Sequence, residues 1–428
     1  MAIGIGLVGT GTVGGGCIDI IQQHRESFKQ HFGIDIELKR VCSLSVDEAR
    51  ARGLEGIFTK DYRDIVNDPG IDIVIELIGG TTVARNIVCE ALAAGKNVVT
   101  ANKALMATHG KEVMELAGTM KKELFFEASV GGGIPIIDPL KHSLIANRIS
   151  TVMGIVNGTT NYMLTRMSED GLDYDTALRE AQDRGFAEAN PTADVDGLDA
   201  AAKIAILASI AFNTRITIDD VYAEGIRSIA PLDLEAARDM GYCVKLLAIA
   251  HRKEDGIDVR VHPTMLPLTH PLASVNGVFN AIYVVGDSVG ETMFFGEGAG
   301  AGPAASAVMG DVLECARHLQ AGIAPLVGCT CTDTVPLVAM EGLHTKYYIR
   351  FAVADRAGVL AAMANVFADH EVSVHSVMQR GTKGEGGKVD LVYVTHTACE
   401  ASVRAALSDI VKLENVVCAE PSLIRVEG

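Results

Sequence analysis

The chain has 428 residues, 48% hydrophobic and 21% charged, which supplies apolar material for several packed cores and excludes disorder as its main business. Its 37 Lys and Arg stand against 54 Asp and Glu, and the resulting charge of -17 repels polyanions, with no basic run to offset it. The longest apolar run, Ile204 to Phe212 broken only by Ser209, is too short to span a bilayer.

These features argue against nucleic-acid and membrane partners. The first residues run straight into a strand pattern, without the basic segment and cleavage site of a secretory leader. Nine cysteines are scattered without a Cys-x-x-Cys pair, which reads as a reduced, cytoplasmic protein.

Ala2 to Val8 is an apolar strand followed at once by the loop Gly9-Thr-Gly-Thr-Val-Gly14. A helix is expected from there to about His31, with Val13, Cys17, Ile20 and Ile21 as its buried stripe. Strands follow near Ile36 to Cys42, Ile71 to Ile78, Asn97 to Thr100 and Leu124 to Ala128. Between them lie helical patterns at Val46 to Arg52, Val83 to Ala94 and Glu112 to Lys122. This alternation predicts a Rossmann-type α/β fold with a doubly wound parallel sheet over residues 1–130, completed by about residues 300–330.

After Pro139 the texture changes. Helices are expected at Asp175 to Arg184 and Leu198 to Phe212, and strands at Ile257 to His262 and Ala281 to Val285. That makes residues 131–300 a separate α+β domain, with a further helix over Ala304 to His318. Residues 331–346 read as a linker, within the connector Cys329 to Thr345. Residues 347–428 then give strand, helix, two strands, helix and strand, the ferredoxin-like βαββαβ order, with a Gly-rich turn over residues 381–387.

The loop Gly9-x-Gly11-x-x-Gly14 sits between a strand and a helix, as a dinucleotide site requires. Its first glycine suits a tight turn, its second lets a pyrophosphate approach the backbone, and its third permits close helix–strand packing. The helix N-terminus adds positive partial charge. An NAD site usually places an acid at the end of the second strand, but Arg40-Val-Cys-Ser-Leu-Ser45 has none before Asp47. That leans toward NADP, with Arg40, Ser43 and Ser45 available for its extra phosphate; alternatively Arg40 is a solvated strand residue.

Lys203 lies on a helix otherwise almost wholly apolar, with Asp199 four residues earlier on the same face. A desolvated lysine suits proton transfer, whereas a surface ion pair would contribute only tenths of a kcal/mol. Just upstream, Glu188, Asp194 and Asp196 gather around Pro191. They read either as a site for a substrate ammonium group or as a solvated turn that caps the helix. Thr100-Ala-Asn-Lys103 and Glu127-Ala-Ser-Val-Gly-Gly-Gly-Ile-Pro135 follow strands at the carboxyl edge, where doubly wound sheets bind ligands. The second segment also suits a hinge. The run Gly296 to Gly302 suits either a backbone surface against a nicotinamide or a tight crossover.

Together with Glu76-Leu-Ile-Gly-Gly80, Gly154-Ile-Val-Asn-Gly-Thr-Thr-Asn161 and Gly298-Ala-Gly-Ala-Gly-Pro303, these segments make nearly the whole chain resemble homoserine dehydrogenases. The last 82 residues resemble an ACT domain, a small-molecule sensing module. The resemblance implies NAD(P)-dependent interconversion of L-aspartate 4-semialdehyde and L-homoserine, in threonine, methionine and isoleucine biosynthesis. It implies Lys203 as proton donor with Asp199 beside it, Glu188 on the substrate ammonium, and Asp194 and Asp199 shaping the polar pocket. Cofactor contacts would come from Gly9, Thr10, Gly11, Thr12, Val13, Gly14, Thr100, Lys103 and Gly302. Glu127, Val130, Gly132 and Ile134 match a monovalent-cation site for Na+ or K+. It further implies a homodimer or homotetramer, and feedback by an amino acid such as threonine at Asp355 to Leu360. The family often has a basic–acidic pair where Cys42-Ser43 stands. Two other classes compete. A phosphorylating semialdehyde dehydrogenase would need a nucleophilic cysteine that no position here supplies, and a non-catalytic sensor would not need Glu188, Asp199 and Lys203.

Overall fold

The computed structural model describes residues 2–323, 325, 328–380 and 387–427. It begins with β1 (Ile3–Val8), α1 (Thr12–Phe32), β2 (Ile36–Cys42), α2 (Asp47–Ala51), β3 (Phe58–Thr59), α3 (Arg63–Val66) and β4 (Ile73–Glu76). Next come α4 (Thr82–Ala93), β5 (Asn97–Thr100), α5 (Lys103–Met120), β6 (Leu124–Phe125) and β7 (Ile149–Ile155). The middle of the chain holds α6 (Gly158–Asp170), α7 (Tyr174–Asp183), α8 (Thr192–Val195), α9 (Leu198–Ala211), β8 (Tyr222–Ala223) and α10 (Pro231–Asp239). There follow β9 (Tyr242–Arg252), β10 (Ile257–Pro267), β11 (Phe279–Gly286), β12 (Gly290–Glu297) and α11 (Ala301–Ala321). The last elements are β13 (His344–Ala354), α12 (Val359–Asp369), β14 (Val374–Arg380), β15 (Lys388–Thr395), β16 (Ala398–Cys399), α13 (Glu400–Val411) and β17 (Ser422–Val426).

The chain divides into two compact units. One contains Met1–Val156, Ala202–Val221 and Phe279–Val335; the other contains Asn157–Ala201, Tyr222–Val278 and Pro336–Gly428.

In the first unit six strands lie in the order β3-β2-β1-β4-β5-β6, all parallel. This is the Rossmann order, with its reversal between β1 and β4. Strands β1 and β4 are buried at every position, which explains why they are apolar apart from Glu76 at the end of β4. Ile5, Leu7 and Ile75 pack with Ile18 of α1 and with Val308 and Val312 of α11, so a helix from late in the chain completes the early core. The same unit contains an antiparallel β7-β11-β12 set. Helix α5 starts at Lys103, well before the expected Glu112, because the Asn102 side chain caps it by accepting the Leu105 N–H at 3.0 Å. The strand expected to reach Ala128 stops at Phe125, where Glu127–Ser129 turns into a short 3-10 helix.

In the second unit β10 pairs with β9 antiparallel and with β8 in parallel. Residues of β9 are buried on both faces from Val244 to Ala250, so the strand lacks the alternation that would have announced it. The C-terminal module has the expected βαββαβ order, with strands β17-β13-β15-β14 side by side and antiparallel. Phe351, Phe367 and Tyr393 form an aromatic cluster in its core. The Gly-rich turn expected there lies, at residues 381–386, outside the described residues. Strand β17 also pairs in parallel with β10, through Thr264 with Arg425 and Met265 with Val426. Strand β10 reaches Pro267, past the expected end at His262, and the extension provides this pairing. The module therefore shares a sheet with the strands before it. Among the described residues no helix is long and apolar enough to cross a membrane.

Candidate active site

The glycine loop leaves the carboxyl end of β1 beside the point where the strand order reverses, the crevice in which such sheets bind nucleotides. Gly9 has φ +102°, closed to most side chains. Gly11 faces open space, leaving backbone room for a pyrophosphate. A Cβ on Gly14 would come 1.9 Å from the Gly9 carbonyl oxygen, so only glycine lets the helix pack this close. Helix α1 has no side-chain cap and no acid in its first turn, so its leading N–H groups stay available to an anion. Thr12 and Val13 open that helix, and Thr10 is buried with its hydroxyl donating to Glu48 at 2.6 Å. The start of α11, with Gly302 exposed in its first turn, lies against α1 at Gly16, where a Cβ would be 2.8 Å from Ala301 O.

At the next strand ends Glu76 is fully buried, accepting from the Thr100 hydroxyl at 2.7 Å and the Ile78 N–H at 2.9 Å. Burial raises its pKa against those hydrogen bonds. Thr100 Oγ1 also accepts the Asn102 N–H at 3.0 Å, and Asn102 Nδ2 donates to Gly80 O at 2.7 Å. The Thr100 hydroxyl is thus committed to the scaffold and Thr100 is wholly buried, while Lys103 at the start of α5 is exposed. Arg40 pairs with Asp68 at 2.9 Å, and Ser45 donates to Asp47 at 2.6 Å.

The Glu127 and late glycine loops, singled out separately in the sequence, meet in the first unit. Gly133 N donates to Glu297 O at 3.2 Å, and a Cβ on Gly132 would fall 2.5 Å from the Gly298 backbone. The Glu127 carboxylate accepts N–H groups of Ile136, Ile137 and Asp138 at 2.6, 2.8 and 2.6 Å. Its own N–H donates to Asp311 of α11 at 2.9 Å. Burial, then the neighbouring Glu127, pushes the Asp311 carboxyl well above the usual carboxylate range. Val130 and Ile134 are buried in the same turn. Amides thus occupy the Glu127 carboxylate, and the residue's main-chain oxygen accepts the Val130 N–H at 3.3 Å.

Lys203 is only 8% exposed, and its Nζ donates to Val156 O at 2.6 Å. A surface ion pair is therefore ruled out. In the second unit Asn157 caps α6 through its Oδ1, which accepts the Thr160 N–H at 2.9 Å. Its Nδ2 donates to Asp194 at 2.7 Å and to Asp199 at 2.9 Å, gathering two acids that are distant in sequence from it. Asp196 pairs with Arg227 at 2.5 Å, and Glu188 is exposed.

A buried lysine on a helix that also carries Asp199, together with a dinucleotide-type loop, is the constellation of a dehydrogenase. The chain is 45% identical over 438 residues to the homoserine dehydrogenase of Synechocystis sp., with full coverage of both. The chain belongs to the homoserine dehydrogenase family. Family models agree: the NAD binding domain of homoserine dehydrogenase matches residues 9–127, homoserine dehydrogenase residues 135–313, and the ACT domain residues 347–415. A crystal structure of a homoserine dehydrogenase from Thiobacillus denitrificans is similar at TM-score 0.93 and 40% identity, covering 100% of this chain and 98% of that one. A hyperthermophilic archaeal homoserine dehydrogenase mutant in complex with NADPH has a TM-score of 0.63 and 27% identity, covering 74% and 98% respectively. The protein is accordingly an NAD(P)-dependent oxidoreductase of the homoserine dehydrogenase family with a C-terminal ACT domain.

Asn157, quoted only within a motif, and Asp311 received no individual role from the sequence. An Asn ahead of Gly-Thr-Thr at a strand end is a readable helix cap, but its second role depends on acids that folding delivers. For the nucleotide loop, Gly14→Ala is expected to weaken NADPH binding by about tenfold or more, since the added methyl must drive the helix off the Gly9 carbonyl. Fluorescence titration of NADPH into the folded variant measures this, and wild-type affinity would remove the loop from the cofactor site.

Proposed function

We propose that the enzyme works in threonine, methionine and isoleucine biosynthesis, in the cytoplasm, with feedback exerted through the ACT domain. The observation that carries the chemical reading is Lys203, an ammonium group held almost out of water on an otherwise apolar helix.

Residues 1–130, completed by about 300–330, hold NADP or NAD through Gly9, Thr10, Gly11, Thr12, Val13, Gly14, Thr100, Lys103 and Gly302. The NADPH complex of the archaeal relative supports this use of cofactor. Residues 131–300 form the catalytic and dimerisation domain, 331–346 the linker and 347–428 the regulatory domain. When bound beside these residues, the nicotinamide would supply the hydride for the semialdehyde carbon, or accept it from homoserine. Lys203 gives a proton to the developing alkoxide, and removes it from the alcohol in the reverse direction. Glu188 binds the substrate ammonium. Asp194 and Asp199, held together by Asn157, complete a polar, acid-lined pocket. Glu127, Val130, Gly132 and Ile134 hold a monovalent cation that orients domains rather than taking part in the chemistry. Threonine is the effector at Asp355 to Leu360, and the working form is a homodimer or homotetramer.

The test follows reduced-cofactor absorbance with purified protein and homoserine, offering NAD and NADP separately, with and without threonine. Homoserine-dependent reduction, slowed by threonine, is the expected result. Silence with both cofactors from a folded protein that binds them would sink the catalytic reading.

A further inference from the structure

The segment Glu224 to Arg227, which no step of the reaction uses, lies directly on the segment that carries the substrate acids. Strand β8 is pinned to β10, and Glu224 N donates to Val261 O at 2.8 Å. Gly225 packs so closely on the acid segment that a Cβ would be 2.0 Å from Val195 O and 2.5 Å from the Asp196 Cα. Ile226 N donates to the same Val195 oxygen at 2.9 Å, and Arg227 pairs with Asp196. Val195 and Asp196 join Asp194 to the helix that bears Asp199, so whatever sets this template also sets both acids.

The template is held from the C-terminal module. Glu224 accepts Nη1 of Arg425 at 2.9 Å and Nη2 of Arg404 at 3.2 Å, together with the Tyr222 hydroxyl at 2.8 Å. Arg425 is fully buried, and its remaining donors reach Glu400 at 3.0 and 2.5 Å. Its guanidinium lies 5.5 Å from the Tyr222 ring centre. Arg425 and Glu400 are buried, whereas Glu224 is partly and Arg404 about half exposed, so desolvation offsets much of the attraction in the buried pair and screening weakens the exposed one. The cluster's directional hydrogen bonds instead fix geometry.

We propose that Glu224 is a positioning residue for substrate binding: gripped by Arg425 and Arg404, it holds Gly225 and Ile226 against Val195–Asp196 and thereby places Asp194 and Asp199. The C-terminal module is then a structural part of the substrate site as well as a candidate sensor. The inference rests on the reading of Asp194 and Asp199 as substrate acids, so the experiment separates the two.

Full-length Glu224→Ala, Glu224→Gln, Gly225→Ala and Asp194→Asn are compared for the KM of homoserine, the KM of the cofactor and kcat. A displacement of about 1 Å at the acids suffices for large losses, so Glu224→Ala and Gly225→Ala are expected to raise the homoserine KM about tenfold or more. The cofactor KM should stay within about twofold, and Glu224→Gln, which still accepts from Arg425, should recover most of the loss. A uniform rise in both KM values, or none in either, overturns the proposal. Where Glu224→Ala fails to fold, Gly225→Ala leaves the ion cluster intact and tests the same contact. An unchanged homoserine KM in Asp194→Asn overturns the substrate-acid reading and this proposal with it. A raised KM there, alongside normal values in the Glu224 and Gly225 variants, overturns this proposal alone.

Discussion

Lys203→Ala is expected to lower turnover by about 10²–10⁴-fold while NADPH binding is retained, the range that loss of a general acid produces. Lys203 sits in Leu198-Asp-Ala-Ala-Ala-Lys-Ile-Ala-Ile-Leu-Ala208, where alanines and isoleucines flank it in sequence, and only 8% of the residue reaches solvent. A cation brought so far out of water must be hydrogen-bonded, and Val156 O accepts its Nζ at 2.6 Å. That bond aims the amine and restricts its rotamers, which is what proton delivery to a fixed point requires. Alanine at this place removes the proton and the aim together, yet it suits a helix interior well, so the fold should survive. The glycine loop is untouched, and cofactor titration serves as the control. Near-normal turnover in a folded variant would remove Lys203 from the chemistry.

The largest expected effect on stability comes from Asp233→Ala. Asp233, fully buried at the start of α10, accepts from Arg350 Nε and Nη2 at 2.6 and 3.1 Å, from the Tyr348 hydroxyl at 2.9 Å and from Ser422 Oγ at 3.1 Å. It also accepts the Ala230 N–H at 2.9 Å, so one carboxylate caps its own helix and anchors two strands of the C-terminal module. Removing it leaves the Arg350 guanidinium, only 15% exposed, with Asp390 at 3.3 Å as its remaining acid, a loss of up to about 3–5 kcal/mol for a broken buried ion pair. The chain has no tryptophan, so urea unfolding is followed by circular dichroism and tyrosine fluorescence. The transition of the second unit should move to lower urea, and Arg350→Met added to the variant should recover part of the loss, because the under-compensated buried charge disappears. An unfolding curve identical to wild type would show that the cluster contributes nothing net.

The two predictions differ in how far the sequence could reach them. Lys203 stood out in the sequence because a charge in an apolar helix is a local contrast, visible within eleven residues, but only its burial decided between a desolvated lysine and a surface ion pair. Asp233 carried no such mark. It sits in Pro-Leu-Asp-Leu-Glu-Ala, where an acid in the first turn is ordinary, and its partners are 115 to 189 residues away.

By itself the sequence determined the β/α alternation, the glycine loop between strand and helix, the lysine helix and the βαββαβ tail. Each of these rests on periodicity or turn chemistry acting within a few residues, where backbone sterics and side-chain spacing leave few alternatives. Tertiary structure alone decided that Asn157 would gather Asp194 and Asp199, that Thr100 would commit its hydroxyl to Glu76, and that β17 would join β10. It also decided that Arg425 would meet Glu224, 201 residues earlier. An arginine, an acid or a threonine has the same side chain in water as in a core. Only the packing of distant surfaces, which removes water from one and not another, settles which of them is buried and what it must bind.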